Sequence, residues 1–294
     1  MYKEFYNLKF VAAILSVILV SCNSREKSQR DYYTSFMNQE INIPEEYVYL
    51  VNNDTVELNL GNADFKILTY IPAKSCIPCN MNLMRWGKLL EELYSHPEMD
   101  IEFIMVINSP RTRELLDNIG KSNFLNPVTF DPHNRLKELN NLPEGNVNTF
   151  LLDEENRIIA MGDPSVNPKI LELYQKLMNI EASSKEGGAV CAQSVIPLGA
   201  VQANDTVVKR FSLANSGNSP IIIQDMIPSC DCIHASTTSD TIPPNSHIFL
   251  TVKLPIDTTP GLMRKYVNVF FKDKDKPEQL TLYGYSITNN NNLK

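Results

Sequence analysis

Two cysteines separated by two residues, Cys76-Ile77-Pro78-Cys79, stand between the apolar run Phe65–Ile71 and a stretch of helical spacing, Asn80–Tyr94. Such a pair can be a working redox couple, part of a metal clip or a structural staple. A strand that turns into a helix at Cys76 leaves first-turn amides unpaired beside its sulfur, and aligned peptide dipoles there favour thiolate over thiol. Lys74 adds positive charge, and Pro78 is tolerated because first-turn residues need no intrahelical donor. On this geometry Cys76 is the exposed attacking thiolate and Cys79 the more buried resolving thiol. Zinc normally takes four N or S ligands, and no histidine or second cysteine pair lies close in sequence.

A second constellation lies far downstream. Cys230, Cys232 and His234 stand at i, i+2 and i+4, so an extended segment would point all three to one face. Three such ligands suit zinc or copper; the alternative is a locally oxidised cysteine pair beside a surface histidine. Cys191 could pair with either cysteine. His96, His133 and His247 have no matching neighbours and read as surface residues.

The elements around these residues fall into two blocks. In the first, Val48–Leu60 reads as a hairpin around Asn52-Asn53-Asp54, followed by strands at Phe65–Ile71 and Ile101–Ile107 and a short one near Val128–Phe130. Helices are predicted at Asn80–Tyr94, Arg111–Ile119, His133–Asn140 and Pro168–Met178, with a hairpin from Thr149–Asp153 to Arg157–Met161. Alternating strands and helices imply a mostly parallel or mixed sheet covered on both faces. The polar, Gly-containing stretch 181–193 reads as a linker. Beyond it come only short strands, at Thr206–Leu213, Ile221–Met226, Ile248–Leu254, Tyr266–Phe271 and Gln279–Tyr285, a spacing that fits a sandwich of about seven strands.

Strand, CxPC, helix, strand, helix, a further strand and helix, hairpin and helix resemble the thioredoxin fold of TlpA-type oxidoreductases and redoxins over residues 46–180. The resemblance implies thiol–disulfide exchange with Cys76 and Cys79 as the catalytic pair and needs no cofactor. "NTFLLDEENRIIAMGDP" is similar to that family's closing hairpin. Three positions depart from the family pattern. Ser75 stands where Trp is common, and Tyr70 stands where a buried acid is common. Val147 or Asn148 occupies the substrate-loop position of a cis-proline. A cis bond before a non-proline residue costs about 2.5–4 kcal/mol, so a trans loop and an altered substrate groove are expected there.

"FSLANSGNSPIIIQDMIPSCDCIHAS" resembles the bacterial DUF1573 modules, whose immunoglobulin-like fold is expected over residues 194–287. Ser229, Cys230 and Cys232 match that family's S-C-G-C-T mark, while Asp231 and Ile233 depart from it. The resemblance implies no reaction.

At the start of the chain, Lys3 and Lys9 flank the apolar run Phe10–Val20, which is too short to span a bilayer. Leu19-Val20-Ser21-Cys22 resembles a bacterial lipobox, implying a signal peptide over 1–21, acylation of Cys22 (palmitate included), and a tether over 22–45. The expected location is the cell envelope, lipid-anchored to a bacterial membrane and facing the periplasm, where disulfides persist. With Cys22 committed to lipid, an odd number of the six cysteines remains, so at least one thiol is free or pairs with another molecule. The net charge of −7 argues against nucleic acid and against a basic membrane-surface patch. Residues 288–294 read as a disordered tail. The expected activity is thiol–disulfide exchange with a protein partner. The alternatives are a scaffold lipoprotein with a structural disulfide, and metal handling through Cys230, Cys232 and His234.

Overall fold

A computed structural model describes residues 35–288, apart from 74–76, 97, 143–148, 181–190, 192 and 273. The expected signal peptide, Cys22, most of the tether, the substrate-loop residues Val147 and Asn148 and the tail therefore lie outside the described residues. Among those described, no helix is long and apolar enough to cross a membrane.

Two apolar runs set the first domain. Strands β3 (Phe65–Ile71) and β4 (Ile101–Ile107) pair in parallel from Phe65↔Ile101 to Ile71↔Ile107. Both read as nearly continuous apolar sequence because both faces of the sheet are covered. β5 (Val128–Phe130) runs parallel beside β4, while β6 (Thr149–Leu152) pairs antiparallel with β3 and carries β7 (Ile158–Met161) on its outer edge. The hairpin of β1 (Tyr49–Val51) and β2 (Asp54–Val56) joins through Leu50↔Val128, giving the order β2-β1-β5-β4-β3-β6-β7. This is a thioredoxin-like sheet with added edge strands.

The long helix expected from Asn80 is split in two. A single turn, α1 (Ile77–Asn80), is separated from α2 (Leu83–Tyr94) by Asn82, whose backbone is left-handed at φ 45°. Apolar periodicity cannot register such a break, since Met81 and Leu83 remain buried on either side of it. α2 then lays Leu83, Trp86, Leu90 and Leu93 on the sheet, with the Trp86 and Phe103 rings 4.9 Å apart. α3 (Arg113–Lys121) begins two residues later than expected because Thr112 caps it, its hydroxyl accepting from the Leu115 N–H at 3.3 Å. α4 (Arg135–Asn140) likewise starts late, after the left-handed Asn134. α5 (Pro168–Leu177) opens on the proline, as first-turn prolines do. Ile67, Phe103 and Met105 face the core beneath α2, α3 and α5, whereas Leu68, Tyr70, Ile104 and Val106 face α4 and the N-terminal segment.

The second domain is a sandwich of eight strands among the described residues: β8 (Val195–Gln202), β9 (Thr206–Asn215), β10 (Ile221–Pro228), β11 (His234–Thr237), β12 (Thr241–Ile242), β13 (Ser246–Pro255), β14 (Gly261–Phe271) and β15 (Glu278–Ile287). A five-stranded sheet, β12-β10-β14-β15-β8, faces a three-stranded one, β11-β13-β9. Alternate residues such as Phe211, Leu250, Val252, Val267 and Leu280 fill the space between them. β8 runs parallel to β15, and their backbones pass so closely that a Cβ at Gly284 would lie 2.7 Å from the Gly199 carbonyl oxygen.

The two domains share apolar surface. Val195 and Tyr283 belong to the core under α2, and Tyr285 and Ile287 to the core on the opposite face of the first sheet. β15 thus turns one face to its own sandwich and the other to the amino ends of β3 and β4. Polar contacts rim this seam: Gln279 Nε2 donates to the Ser95 carbonyl at 2.6 Å, and Arg264 donates to the His96 carbonyl at 3.1 Å and pairs with Asp100 at 2.6 Å. The module is therefore packed onto the first domain, in contrast to a spacer strung on a linker.

Apart from glycine, left-handed positions are taken by one residue type. Every described non-glycine residue with positive φ is an asparagine, ten in all, from Asn38 to Asn245. Its short amide side chain can bond locally, which makes this conformation tolerable.

Candidate functional site

Of the CxPC residues, Cys76 lies outside the described residues and Cys79 within α1. Ile77 packs against the core, while Pro78, Cys79 and Asn80 are exposed. Cys79 is disulfide-bonded. α1 buries none of its four residues, and the expected contrast between an exposed Cys76 and a more buried Cys79 falls outside the described residues. A single turn also aligns few peptide dipoles, so the macrodipole contribution is smaller than an unbroken helix to Tyr94 would give.

The end of the sheet that carries α1 is held by a buried polar network that sequence patterning did not single out. The Asn108 N–H donates to the Ile71 carbonyl at 2.9 Å, and its side-chain amide donates to the Asp131 carbonyl at 2.6 Å. Asn108 Oδ1 accepts from the Ala73 N–H at 3.3 Å, three residues before Cys76 in the sequence. Asn108 therefore ties the exit of β3 to the exit of β5. Asp131 is itself 1% exposed, and its carboxylate accepts from the N–H groups of Arg135 (2.9 Å) and Leu136 (3.0 Å) and from the Tyr47 hydroxyl (2.8 Å). That carboxylate does for α4 what a capping side chain does.

Tyr70, where a buried acid was the family expectation, donates its hydroxyl to Asn134 Oδ1. Burial, assisted by the negative charge of Asp131, pushes its pKa up to about 12, so it stays protonated at neutral pH. Beside this network, a cleft of about 580 Å³ opens at the same end of the sheet, lined by Tyr47, Arg111, Phe130, His133 and Arg135 among others.

The second constellation assembles differently from its prediction. Cys230 and Cys232 are bonded to each other. Residues 229–232 form bends and turns, so no extended segment aligns the three side chains, and His234 stands exposed at the start of β11 opposite Lys253. With both sulfurs in a disulfide, the three-ligand metal arrangement is not present. No group of three or more candidate metal ligands occurs among the described residues. Cys191 pairs with neither cysteine: it is a buried free thiol whose Sγ donates to the Gln193 carbonyl at 3.1 Å. Burial pushes its pKa up to about 11, which keeps it protonated and unreactive.

The Cys230–Cys232 bond closes a loop of three residues. Chain-entropy arithmetic gives such a closure about 1.6 kcal/mol, against about 3 kcal/mol for a 15-residue loop. As a staple it contributes little.

Glu102 is a further buried polar residue in an apolar strand. It is 3% exposed; one oxygen accepts from the Asn59 N–H at 3.1 Å and the other has no partner. Burial pushes its pKa up to about 7, with the Asn59 N–H and Arg264 acting in the opposite direction. The single acid within "IEFIMVI" was the signal available in the sequence.

Residues 190–286 match the family described as "Protein of unknown function (DUF1573)". The DUF1573 match takes in Cys191, the Cys230–Cys232 loop and both seam tyrosines of β15. No curated protein matches the chain. Among solved structures, a protein provisionally described as a disulfide isomerase from Bacteroides thetaiotaomicron is 16% identical, covering 49% of this chain and 89% of its own, with a TM-score of 0.38. Xanthomonas campestris peroxiredoxin Q is 13% identical, covering 49% and 100%, with a TM-score of 0.36. The human CEP192 PapD-like domain 7 is 12% identical, covering 37% and 92%, with a TM-score of 0.27.

Proposed function

We propose that the protein is a lipid-anchored envelope protein that exchanges thiols and disulfides with protein partners through Cys76 and Cys79. The observation that carries this reading is the exposed, disulfide-bonded Cys79, placed on one helical turn just beyond the carboxyl end of the buried strand β3. In the dithiol form, a Cys76 thiolate attacks a partner disulfide and expels one partner sulfur as thiolate. Cys79 then attacks the Cys76 sulfur, releasing the partner as a dithiol and closing the pair, so that two electrons have moved to the partner. The disulfide form runs the same steps in reverse. The lipobox-like Leu19-Val20-Ser21-Cys22 supports anchoring, and an oxidising envelope suits a protein with disulfides at both Cys79 and Cys230–Cys232.

Trapping tests the exchange directly. A Cys79→Ser chain expressed in its own envelope should accumulate a mixed disulfide through Cys76, visible as a reducible band on a gel. Absence of any captured species, together with equal and slow alkylation of both thiols in the reduced wild-type chain, would move the protein to a scaffold role with a structural disulfide.

A further inference from the structure

The Cys230–Cys232 disulfide does little for the fold that its surroundings do not already do. Ser229, just before it, is fixed twice to β14: its N–H donates to the Tyr266 carbonyl at 2.8 Å and its hydroxyl accepts from the Tyr266 N–H at 3.1 Å. Just after it, Ile233 is 4% exposed in the sandwich core, and its N–H donates to the Cys230 carbonyl at 3.2 Å. β11 then pairs with β13 through four successive residues, His234 to Thr237. The turn is pinned at both ends without the sulfurs, and a closure over one intervening residue constrains the unfolded chain only weakly. Cys230 and Cys232 are half-buried, packed on one side against the sandwich core, with exposed Asp231 between them, so the bond lies in a turn at the surface.

We propose that Cys230–Cys232 is a second thiol–disulfide exchange site, one that accepts electrons from a dithiol. A thiolate of the incoming dithiol attacks one of the two sulfurs, and the other leaves as a thiolate and takes up a proton. The second thiol of the donor then attacks the mixed disulfide. The donor ends as a disulfide, having lost two electrons and two protons, and Cys230 and Cys232 end as thiols. The reverse steps, with a disulfide as oxidant, restore the bond.

This site works apart from the first. The second domain sits at the amino ends of β3 and β4, and α1 follows the carboxyl end of β3, seven residues along the strand. A seven-residue strand spans about 23 Å, so Cys79 and the Cys230–Cys232 turn lie toward opposite ends of it and each disulfide would meet its own partner. Buried Cys191 does not compete as an internal thiol.

The test uses the full-length chain carrying Cys76→Ser and Cys79→Ser, which removes the first pair and makes the outcome independent of the function proposed above. Native protein is treated with dithiothreitol, quenched with an alkylating agent and mapped by peptide mass, with oxidised glutathione added in a second arm. The expected result is reduction of Cys230 and Cys232 at a rate within about tenfold of that of the exposed Cys79 disulfide in the wild-type chain, without labelling of Cys191, and re-closure by oxidised glutathione. A companion chain with Cys230→Ser and Cys232→Ser should keep its thermal midpoint within a few degrees. Reduction only at the rate of global unfolding, or a companion chain that fails to fold, would make the bond a staple and overturn the proposal.

Discussion

The rings of Tyr94 and Tyr283 lie 4.6 Å apart between centroids, one from the end of α2 and the other from β15, and both are at most 1% exposed. The pair joins two domains that the composition of residues 181–190 would otherwise let drift. Truncating a buried aromatic side chain costs about 3–5 kcal/mol, and here that cost falls on the seam. A chain nicked within 181–190 should remain one particle in size-exclusion chromatography, whereas the nicked Tyr283→Ala chain should separate into two. Separation of the nicked wild-type chain would show that the seam is too weak to act as described.

Glu102 makes stability depend on pH in a direction opposite to that of a salt-bridged acid. Its folded pKa of about 7 lies above the unfolded value, so between them the folded state holds the extra proton and stability falls as pH rises. The difference corresponds to about 3 kcal/mol of penalty, absent below the unfolded pKa and complete above pH 7. Glu102→Gln keeps an acceptor for the Asn59 N–H and removes the charge. Denaturant titrations should show the variant gaining on wild type from pH 5 to about pH 7 and levelling off by pH 8; a gap that does not change with pH would refute the assignment.

Asn108→Ala leaves the Ala73 N–H and the Asp131 carbonyl without their partner, a loss of about 1–3 kcal/mol. Because those bonds hold the approach to the CxPC turn, the exchange kinetics at Cys79 should change along with stability. Asn108→Asp keeps the acceptor for Ala73 but sets a carboxylate oxygen against the Asp131 carbonyl in place of the donor, so it should disturb the exchange rate at least as much as Asn108→Ala. Exchange rates that stay at the wild-type value in both variants, measured well below their melting temperatures, would leave Asn108 with a purely structural part.

Changing Cys22→Ala should abolish the acyl mass and move the protein out of the membrane fraction. Unchanged fractionation with no acyl group on wild-type Cys22 would remove the anchor from the proposal.

What could be read in advance follows from how each element is encoded. β3 and β4 were legible because a strand buried on both faces is apolar throughout, and the β6–β7 hairpin because two short apolar runs flank "EEN". The CxPC spacing is plain in the sequence, but of its two cysteines only Cys79 falls among the described residues. β8 was missed because Pro197 and Gly199 interrupt it and half-buried residues blur its alternation. The seam was missed for a related reason: Tyr283 and Tyr285 look like ordinary strand aromatics, and nothing local says that the face they occupy turns away from the sandwich core. Asn108 and Asp131 are single polar residues at strand ends, meaningful only once three strands stand side by side.

The reliance on asparagine for left-handed turns carries a thermal consequence. Glycine would adopt the same backbone with no steric cost but would lose more chain freedom on folding, so asparagine at ten turns favours the native state at moderate temperature. Asparagine is also among the residues that heat destroys chemically, and proteins from very hot habitats carry fewer of them. Two of the ten, Asn82 and Asn134, sit where α2 and α4 begin. Prolonged heating should therefore damage the protein covalently at its helix starts as well as unfold it, and native structure lost in that way would not return on cooling.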